Sequence, residues 1–321
     1  MNNTYEIFFA SDNNYAQHLC VAIASILKNS KEEECFNFYI LDSNISEENK
    51  TKIKNLSKIK GFDIEFIEVN LELFKNYPQT CKRFPRSVYF RYIIPLIKPN
   101  LEKVLYLDSD IVILDSLKEL WNTDLEDYYC IAIEDLNRSS SKIDAKRLDV
   151  KNYFNSGVLL INNKKWGEEN ISELLFQNTK KLNSLNNLIW PDQDVLNYTF
   201  NDKVIFANPR FNFQQAAYRK PLISKYTKNE IKDAKNNICI LHYSNQYKPW
   251  NNFKQNESFE YYWKYLRLTD FWNDEQEKLY FKLKKDYIDI KILNTSLFKI
   301  SKVEYGYELF ILGMKTKLKI K

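Results

Sequence analysis

Two carboxylates follow an apolar run near the middle of the chain. In the segment KVLYLDSDIVILDS, residues 103–116, Asp108 and Asp110 come directly after the apolar residues 104–107, with one serine between them. Carboxylates at i and i+2 of an extended strand point to the same side, and at the turn that ends a strand they can converge on one hard cation. Oxygen ligands suit Mg²⁺ or Mn²⁺, which often bridges a protein carboxylate to substrate phosphates. The pair indicates a metal site, with an ordinary solvated strand end as the alternative.

A histidine at the end of a second apolar run supplies a third candidate ligand. The chain has two histidines, and His242 follows the apolar run ICIL in the segment LHYSNQYKPW. Its imidazole could complete a metal site with the two aspartates, or it could be an ordinary buried histidine. Lys248, further along the same segment, could meet a diphosphate as a point charge. His18 lies inside the first predicted helix, where we expect a packed or surface residue.

The elements that must position these residues alternate between strands and helices. Residues 6–11, 36–42 and 62–69 have the pattern of short strands, and residues 15–30, 46–59 and 87–97 have the pattern of helices. This alternation predicts an α/β fold with a mainly parallel, Rossmann-like sheet and helices on both faces. Ligands of such sheets bind beyond the carboxyl ends of the strands, which is where Asp108 and Asp110 lie.

Composition narrows the function classes. The chain of 321 residues has five glycines, none of them in a GxGxxG or P-loop pattern, so any phosphate must be held without a glycine-rich cradle. Five scattered cysteines without CxxC spacing indicate reduced thiols rather than a zinc site. The N-terminus has the pattern of a first strand rather than a signal peptide, and no apolar run is long enough to span a membrane.

The net charge of +5 is concentrated at the C-terminus. Residues 275–321 carry 11 Lys and 6 Asp plus Glu, so the rest of the chain is balanced, and nucleic-acid binding is disfavoured. We expect a first domain over residues 1–253 and a helical, basic segment over residues 254–321. Its predicted amphipathic stripes could lie on an anionic membrane surface or pack on the body of the protein. The residues of the two stripes are Tyr280, Leu283, Tyr287 and Ile290, then Leu297, Ile300, Val303, Tyr307 and Phe310.

Taken together, the segments resemble glycosyltransferase family 8, and within it the bacterial lipopolysaccharide α-galactosyltransferases. The similarity covers about residues 6–250 and is carried by an ordered set of motifs. These are ASDNNY, YFRY, VLYLDSDIVILDSLKELW, YFNSGVLLIN, DQDVLN, ANPRFNF and HYSNQYKPW. The resemblance implies a GT-A type fold, a bound Mn²⁺ or Mg²⁺, and UDP-galactose or UDP-glucose as donor. A saccharide or glycolipid is the implied acceptor, and the inner face of the cytoplasmic membrane is the implied location.

The resemblance also implies a role for each matching residue. Asp108, Asp110 and His242 would bind the metal. Residues that would contact the nucleotide are Ala10, Asp12, Asn14 and Ser109. Lys248 would reach the diphosphate, and the residues around the donor sugar would be Arg91, Asn155, Asp192 and Gln193. Without the family, Arg91 has the pattern of a surface cation and Asp192 that of a helix N-cap.

Members of this family retain the anomeric configuration of the transferred sugar. Retaining hydrolases usually do so through a carboxylate nucleophile, whereas the amide of Gln193 is a poor one. We therefore favour front-face attack by the acceptor hydroxyl, with the departing phosphate oxygen as base. Asn245 stands where the family has a glycine beside the donor, which could narrow that pocket, although asparagine can adopt positive φ.

The sequence leaves several functions open. The first hypothesis is a retaining hexosyltransferase that extends a bacterial surface glycan, with lipo-oligosaccharide as the expected acceptor. The second is a glucosyltransferase acting on a protein or on another glycan. The third is an inactive protein that binds UDP-sugars or membranes. A nucleotidyltransferase, which also uses paired carboxylates, is disfavoured because glycine is scarce.

Overall fold

The computed structural model describes most of the chain. It covers residues 4–78, 85–136, 140–218, 224–251, 258–285, 287–292, 295–303, 306–311 and 314–318. The predicted domain boundary between residues 253 and 254 lies outside these residues, as does Cys81. The chain divides into two compact units, Met1–Ser244 and Asn245–Lys321.

The secondary structure of the first unit alternates as the sequence predicts. The strands of the described residues are β1 Thr4–Asp12, β2 Cys35–Ser43, β3 Asp63–Glu68, β4 Lys103–Leu107, β5 Ile111–Ile113, β6 Cys130–Glu134, β7 Phe154–Asn162, β8 Val204–Phe206, β9 Phe213–Gln214, β10 Ile240–His242, β11 Tyr287–Ile292, β12 Thr295–Val303, β13 Gly306–Ile311 and β14 Met314–Leu318. The α-helices are α1 Ala16–Asn29, α2 Glu47–Lys54, α3 Ile94–Ile97, α4 Lys118–Trp121, α5 Ser140–Leu148, α6 Asn163–Glu168, α7 Ile171–Ser184, α8 Pro191–Phe200, α9 Lys228–Asn236, α10 Phe259–Leu266 and α11 Asp274–Lys285. Short 3₁₀ helices cover Asn55–Lys58, Leu71–Phe74, Arg86–Ile93, Pro209–Asn212 and Gln215–Tyr218.

A seven-stranded sheet forms the centre of the first unit. Its order is β3-β2-β1-β4-β7-β6-β8, and every neighbouring pair is parallel except those that β7 makes with β4 and β6. Strand β7 is buried along nearly its whole length, as expected for a central strand covered on both faces. The predicted α/β fold with a mainly parallel sheet is confirmed.

The helices next to the sheet begin and end where local chemistry places them. Helix α1 buries the predicted apolar stripe, which includes Leu19, Ile23 and Ile26. Helix α2 begins after Ser46, whose side-chain oxygen accepts a hydrogen bond from the backbone N–H of Asn49. This N-cap satisfies one of the amide groups that a helix leaves without an internal partner.

A smaller sheet positions the functional residues. Strand β10 lies between β5, to which it is antiparallel, and β9, to which it is parallel. Because only residues 108–110 separate the end of β4 from the start of β5, the chain passes directly from the large sheet to the small one.

The second unit contains α10, α11 and a four-stranded antiparallel sheet. The ring of Trp263 on α10 lies 5.4 Å from that of Tyr280 on α11. The Tyr280 hydroxyl also donates a 2.9 Å hydrogen bond to Glu260. The two helices therefore pack through aromatic residues near the start of this unit.

The prediction of a wholly helical C-terminal segment is wrong. The second predicted stripe, from Leu297 to Phe310, falls on β12 and β13, and β11–β14 pair in chain order. A three-residue spacing does not separate helix from strand when the residues are β-branched or aromatic. The alternation of Ile288, Ile290 and Ile292 with polar residues is the period-two signal that indicates a strand.

Within the described residues, no helix combines the length and the apolar character that crossing a membrane would require.

Candidate active site

Strand pairing brings the two aspartates and the histidine together. Asp108 and Asp110 lie between the end of β4 and the start of β5, and His242 is the last residue of β10. His242 pairs with Ile111, the residue after Asp110. The backbone N–H of Tyr243 also donates to the carbonyl of Asp110 over 3.0 Å. Asp110 and His242, which are 132 positions apart in the chain, are thus held side by side by backbone hydrogen bonds between their strands.

The three side chains form a compact cluster of ligand atoms. One atom from each of Asp108, Asp110 and His242 lies within 4.8 Å of the others. His242 Nε2 is 3.2 Å from Asp110 Oδ1 and 3.9 Å from Asp108 Oδ2. The histidine side chain is only 3% exposed, whereas those of Asp108 and Asp110 are 28% and 14% exposed. The cluster is therefore anchored on its histidine side and open on its carboxylate side.

A glycine allows this close approach. The backbone N–H of Asp108 donates a 2.8 Å hydrogen bond to the carbonyl of Gly157 on β7. A Cβ atom on Gly157 would lie 2.3 Å from His242 Cε1 and 2.6 Å from Asp108 Oδ2. Real Cβ atoms essentially never come so close to another atom. The requirement for glycine comes from neighbouring strands, so the sequence analysis did not identify it.

Arg91 is a buried cation that links two carboxylates, not the surface cation that its sequence context alone predicts. Its side chain is 3% exposed, and Nη2 lies 3.0 Å from Asp108 Oδ1 while Nη1 lies 3.4 Å from Asp192 Oδ2. Nη1 also donates to the carbonyl of Ser156 over 2.6 Å. The guanidinium lies 4.1 Å from the ring centre of Tyr106. Arg91 thus fixes the orientation of Asp108 relative to Asp192.

Asp192 lies in the first turn of α8 and is almost fully buried. The N-cap of this helix is Trp190, so the interpretation of Asp192 as an N-cap is wrong. Burial raises the pKa of Asp192, Arg91 opposes this effect, and the charge of Asp108 adds to it. The hydroxyl of Ser156 donates to its Oδ2 over 2.9 Å.

Gln193 is held by hydrogen bonds on both sides of its amide. Its Oε1 accepts from Asn155 Nδ2 over 3.1 Å and from the backbone N–H of Ser156 over 3.0 Å. Its Nε2 donates to Asp135 Oδ2 over 2.8 Å. The structure therefore joins Asn155 and Gln193, two predicted sugar-binding residues, in one network with the buried Asp135.

Two further buried residues support this site and were not identified from the sequence. Asn212 Oδ1 lies 2.9 Å from His242 Nδ1, and its amide nitrogen donates to Asn155 Oδ1 over 2.8 Å. Asp194 accepts hydrogen bonds from Arg147 at 2.7 Å and from the Tyr153 hydroxyl at 2.6 Å. Both belong to quoted motifs, ANPRFNF and DQDVLN, but neither position in a motif specifies a partner.

The predicted nucleotide-binding residues lie at or near the end of β1 and the start of the Asp–Ser–Asp turn. The hydroxyl of Ser109 donates to the carbonyl of Ala10 over 3.2 Å, so these two are brought together. Asp12 ends β1 and accepts a hydrogen bond from the backbone N–H of Tyr15 over 2.9 Å. Asn14 is exposed in the turn that follows.

Lys248 and Asn245 belong to the second unit. The backbone N–H of Lys248 donates to Asn251 over 2.9 Å, and that of Tyr247 donates to Asn245 over 2.8 Å. Among the described residues with positive φ, Asn245 does not occur, so it does not reproduce a glycine-like backbone conformation. Their predicted roles beside a diphosphate stay predictions.

The chemistry of the cluster suits a divalent cation. Carboxylate oxygens and an imidazole nitrogen can bind Mn²⁺ or Mg²⁺, and an ionised carboxylate can only accept hydrogen bonds, never donate them. Three facing acceptors would repel one another without a cation or a proton between them. Residues Asp108, Asp110 and His242 therefore fit the metal that the resemblance implies.

Known proteins resemble this chain over most of its length. The profile of the family described as Glycosyl transferase family 8 matches residues 6–254. A putative glycosyltransferase of Haemophilus influenzae is 38% identical over 259 residues, which is 78% of this chain and 74% of the relative. A lipopolysaccharide 1,2-glucosyltransferase of Escherichia coli is 29% identical over 266 residues, 81% of this chain and 77% of the relative.

Solved structures agree with the fold. The galactosyltransferase LgtC, crystallised with donor and acceptor sugar analogues, superposes with a TM-score of 0.74 and 32% identity, covering 85% of this chain and 99% of LgtC. The glycosyltransferase GlyE of Streptococcus pneumoniae gives 0.62 and 28% identity, covering 87% of this chain and 63% of GlyE. The predicted GT-A type fold is confirmed. The family match over most of the chain shows that this protein belongs to glycosyltransferase family 8.

Proposed function

We propose that this protein is a metal-dependent, retaining glycosyltransferase that moves a hexose from a UDP-sugar to a saccharide of lipopolysaccharide or lipo-oligosaccharide. The observation that carries the proposal is the cluster of Asp108, Asp110 and His242 joined through Arg91 to Asp192. It brings a metal site and the predicted sugar site together at one end of the large sheet, where α/β folds bind ligands.

Each side of the cluster has a distinct task. Asp108, Asp110 and His242 would hold Mn²⁺ or Mg²⁺, and the cation would supply positive charge that stabilises the departing diphosphate. The resemblance to the family assigns Lys248 a positive charge for the same leaving group and Asn245 a position that is glycine in the family. Uracil and ribose would be contacted by Ala10, Asp12 and Asn14, at or just after the end of β1, and the backbone of Ser109 would add a contact to the nucleotide.

The protein residues near the sugar favour retention without a covalent intermediate. Gln193 Oε1 already accepts two hydrogen bonds of 3.0 and 3.1 Å, which ties up the lone pairs that a nucleophile would use. Arg91 lies 3.4 Å from Asp192, whose carboxylate would stabilise the positive charge that develops on the sugar ring. The acceptor hydroxyl attacks from the face that the leaving group vacates and passes its proton to the phosphate oxygen.

The donated sugar is galactose or glucose. Glucose is supported by the lipopolysaccharide glucosyltransferases among the relatives, and galactose by the likeness to LgtC. The same names support a saccharide acceptor in lipopolysaccharide synthesis. The donor and acceptor assignments are separate, because family members can share a donor and differ in acceptor.

The C-terminal segment places the enzyme at the membrane. Residues 1–253 form the glycosyltransferase domain, and residues 254–321 form a basic segment that rests on the anionic inner face of the cytoplasmic membrane. Residues 275–321 carry the whole net charge of the chain, and each Lys near such a surface contributes about 1 kcal/mol.

Release of UDP from a panel of UDP-sugars, with Mn²⁺ or with EDTA, tests the proposal. We expect one UDP-hexose to be turned over only with metal. Asp110→Asn should reduce turnover by about 100-fold or more, because it removes a charged ligand of the metal. Asp127→Asn is the matched control, because the Asp127 side chain is 94% exposed. Its Oδ1 lies 3.5 Å from Lys165 Nζ, so the substitution removes only a surface ion pair.

Two results separate the parts of the proposal. Metal-dependent UDP release that survives in Asp110→Asn would show that the cluster does not hold the metal. Absence of turnover and of UDP binding for every donor would favour the inactive sugar-nucleotide-binding or membrane-binding alternative. If one donor is used, proton NMR of the product of transfer to purified lipo-oligosaccharide tests retention through the α-anomeric coupling.

A further inference from the structure

A chain of three side-chain amides, those of Asn212, Asn155 and Gln193, connects His242 to the predicted sugar site. Starting from His242 Nδ1, the contacts run to Asn212 Oδ1 at 2.9 Å, from Asn212 Nδ2 to Asn155 Oδ1 at 2.8 Å, and from Asn155 Nδ2 to Gln193 Oε1 at 3.1 Å. Gln193 Nε2 then donates to Asp135 Oδ2 at 2.8 Å. Asn212 is fully buried, so its amide has no access to bulk solvent.

Two backbone amides determine which way each side-chain amide points. The N–H of Ser156 donates to Gln193 Oε1 at 3.0 Å, and the N–H of Gly157 donates to Asn155 Oδ1 at 3.1 Å. A backbone N–H can only donate, so both of these side-chain atoms must be oxygens. Asn212 must then present its nitrogen to Asn155 and its oxygen to His242, because a reversed amide would place two oxygens together.

This direction fixes the tautomer of the histidine. Asn212 Oδ1 can only accept, so His242 Nδ1 carries the proton. In a neutral imidazole the other nitrogen, Nε2, then offers a lone pair, and Nε2 is the atom that faces Asp110 and Asp108. We propose that Asn212 is a positioning residue with two tasks: its oxygen holds His242 in the tautomer that binds metal, and its nitrogen holds the Asn155–Gln193 pair at the donor sugar.

The proposal rests on the proposed function only for its second task. The first task concerns the tautomer and the metal affinity of His242, which are measured without turnover. Partners that fix the tautomer of a metal-binding histidine are typically worth about 10–100-fold in metal affinity. Loss of the second task removes the hydrogen bond that Asn212 Nδ2 donates to Asn155 Oδ1. It should therefore affect transfer of the sugar rather than metal affinity.

The substitutions Asn212→Asp and Asn212→Leu separate the two tasks. Asp keeps an acceptor for His242 Nδ1 but has no nitrogen to donate to Asn155, whereas Leu has a similar size and supplies neither group. We expect Asn212→Asp to bind Mn²⁺ within about threefold of wild type or more tightly, because a carboxylate partner raises the basicity of a histidine ligand. We expect Asn212→Leu to bind Mn²⁺ about 10–100-fold more weakly.

Nitrogen-15 NMR gives a readout that a purely structural role would not change. The chain has only two histidines, so a His18→Gln variant assigns the signals of His242. The measurement uses the metal-free protein, with the pH raised until the nitrogen-15 shifts themselves show a neutral imidazole. We expect the Nδ1–H tautomer in wild type and in Asn212→Asp, and loss of that single tautomer in Asn212→Leu.

The outcomes are decisive for the proposal. A wild-type His242 with the proton on Nε2 would overturn it, whether or not any variant folds and whether or not any UDP-sugar is turned over. Equal Mn²⁺ affinities for Asn212→Leu and wild type would overturn it as well. If UDP release is observed, Asn212→Asp should reduce kcat about tenfold or more while Mn²⁺ binding is kept. Unchanged kcat would remove the second task.

Discussion

Gly157→Ala adds a single methyl group, and it should disable the cluster formed by Asp108, Asp110 and His242. The added methyl carbon would lie 2.3 Å from His242 Cε1, 2.6 Å from Asp108 Oδ2 and 3.1 Å from His242 Nδ1. Ordinary van der Waals contact begins at 3.4 Å, so the imidazole must move by about 1 Å and the carboxylate by slightly less. The imidazole cannot move easily, because Asn212 and β10 hold it on its buried side.

The cost of this change should appear mainly in function. Overpacking a well-packed site by one methyl group costs about 1–3 kcal/mol of the free energy of unfolding, which a domain of ordinary stability survives. A displacement of about 1 Å in a functional group can reduce turnover about 100-fold. Since the methyl group reaches two of the three ligands, we expect Mn²⁺ affinity to fall as well, by about tenfold or more.

Mn²⁺ binding by electron paramagnetic resonance, UDP release and urea unfolding would be measured on the same preparation. Gly167→Ala is the matched control, because a Cβ atom at Gly167 in α6 would have no neighbour within 4 Å. That control should be as stable as wild type or more stable, since alanine is the better helix former. The reasoning fails if Gly157→Ala folds, binds Mn²⁺ and releases UDP within about twofold of wild type.

Two further predictions concern buried groups. Arg91→Ala leaves the carboxylates of Asp108 and Asp192 without their shared cation. It should lower the free energy of unfolding in urea by about 3–5 kcal/mol. Arg210→Ala, which breaks ion pairs with carboxylates that are 51% and 66% exposed, should cost about 1 kcal/mol or less, and equal losses would contradict this. Burial raises the pKa of Cys239 to about 12, so at pH 8 its reactive thiolate form is rare. Peptide mapping after iodoacetamide treatment should show exposed Cys35 labelled in the native protein and Cys239 labelled only in urea; equal labelling would refute the burial argument.

The sequence predicts the cluster because its members end or follow strands. An apolar run that stops at a polar residue indicates the end of a strand. In parallel sheets, ligands bind beyond the carboxyl ends of the strands. Asp108 and His242 both satisfy this pattern, and the structure brings them to 3.9 Å. The alternating strands and helices of the first unit are predicted for the same reason, because each pattern is local.

The residues that the sequence does not reveal are those whose role depends on distant strands. Arginine is seldom fully buried unless it is paired, so Arg91 has the pattern of a surface residue until Asp108 and Asp192 are seen beside it. Asn212 is an ordinary polar residue in its own segment and gains a role only because β9 pairs with β10. The C-terminal sheet differs from the sequence-based prediction for another reason, because its residues satisfy both an alternating pattern and a three-residue spacing, and only the alternating pattern corresponds to the structure.

The two carboxylate oxygens of Asp108 have different surroundings, which shows why an Asp-x-Asp pair needs neighbouring residues to orient it. Oδ1 accepts hydrogen bonds from Arg91 at 3.0 Å and from the Tyr106 hydroxyl at 3.2 Å, so it is committed to the protein. Oδ2 faces His242 across the space that Gly157 leaves by having no side chain. Oδ1 therefore holds the carboxylate in place, and Oδ2 is directed toward His242 and the candidate metal site. An Asp-x-Asp pair without such an arginine and such a glycine would keep its charge but not this orientation, so the pair alone is a weak indication of a metal site.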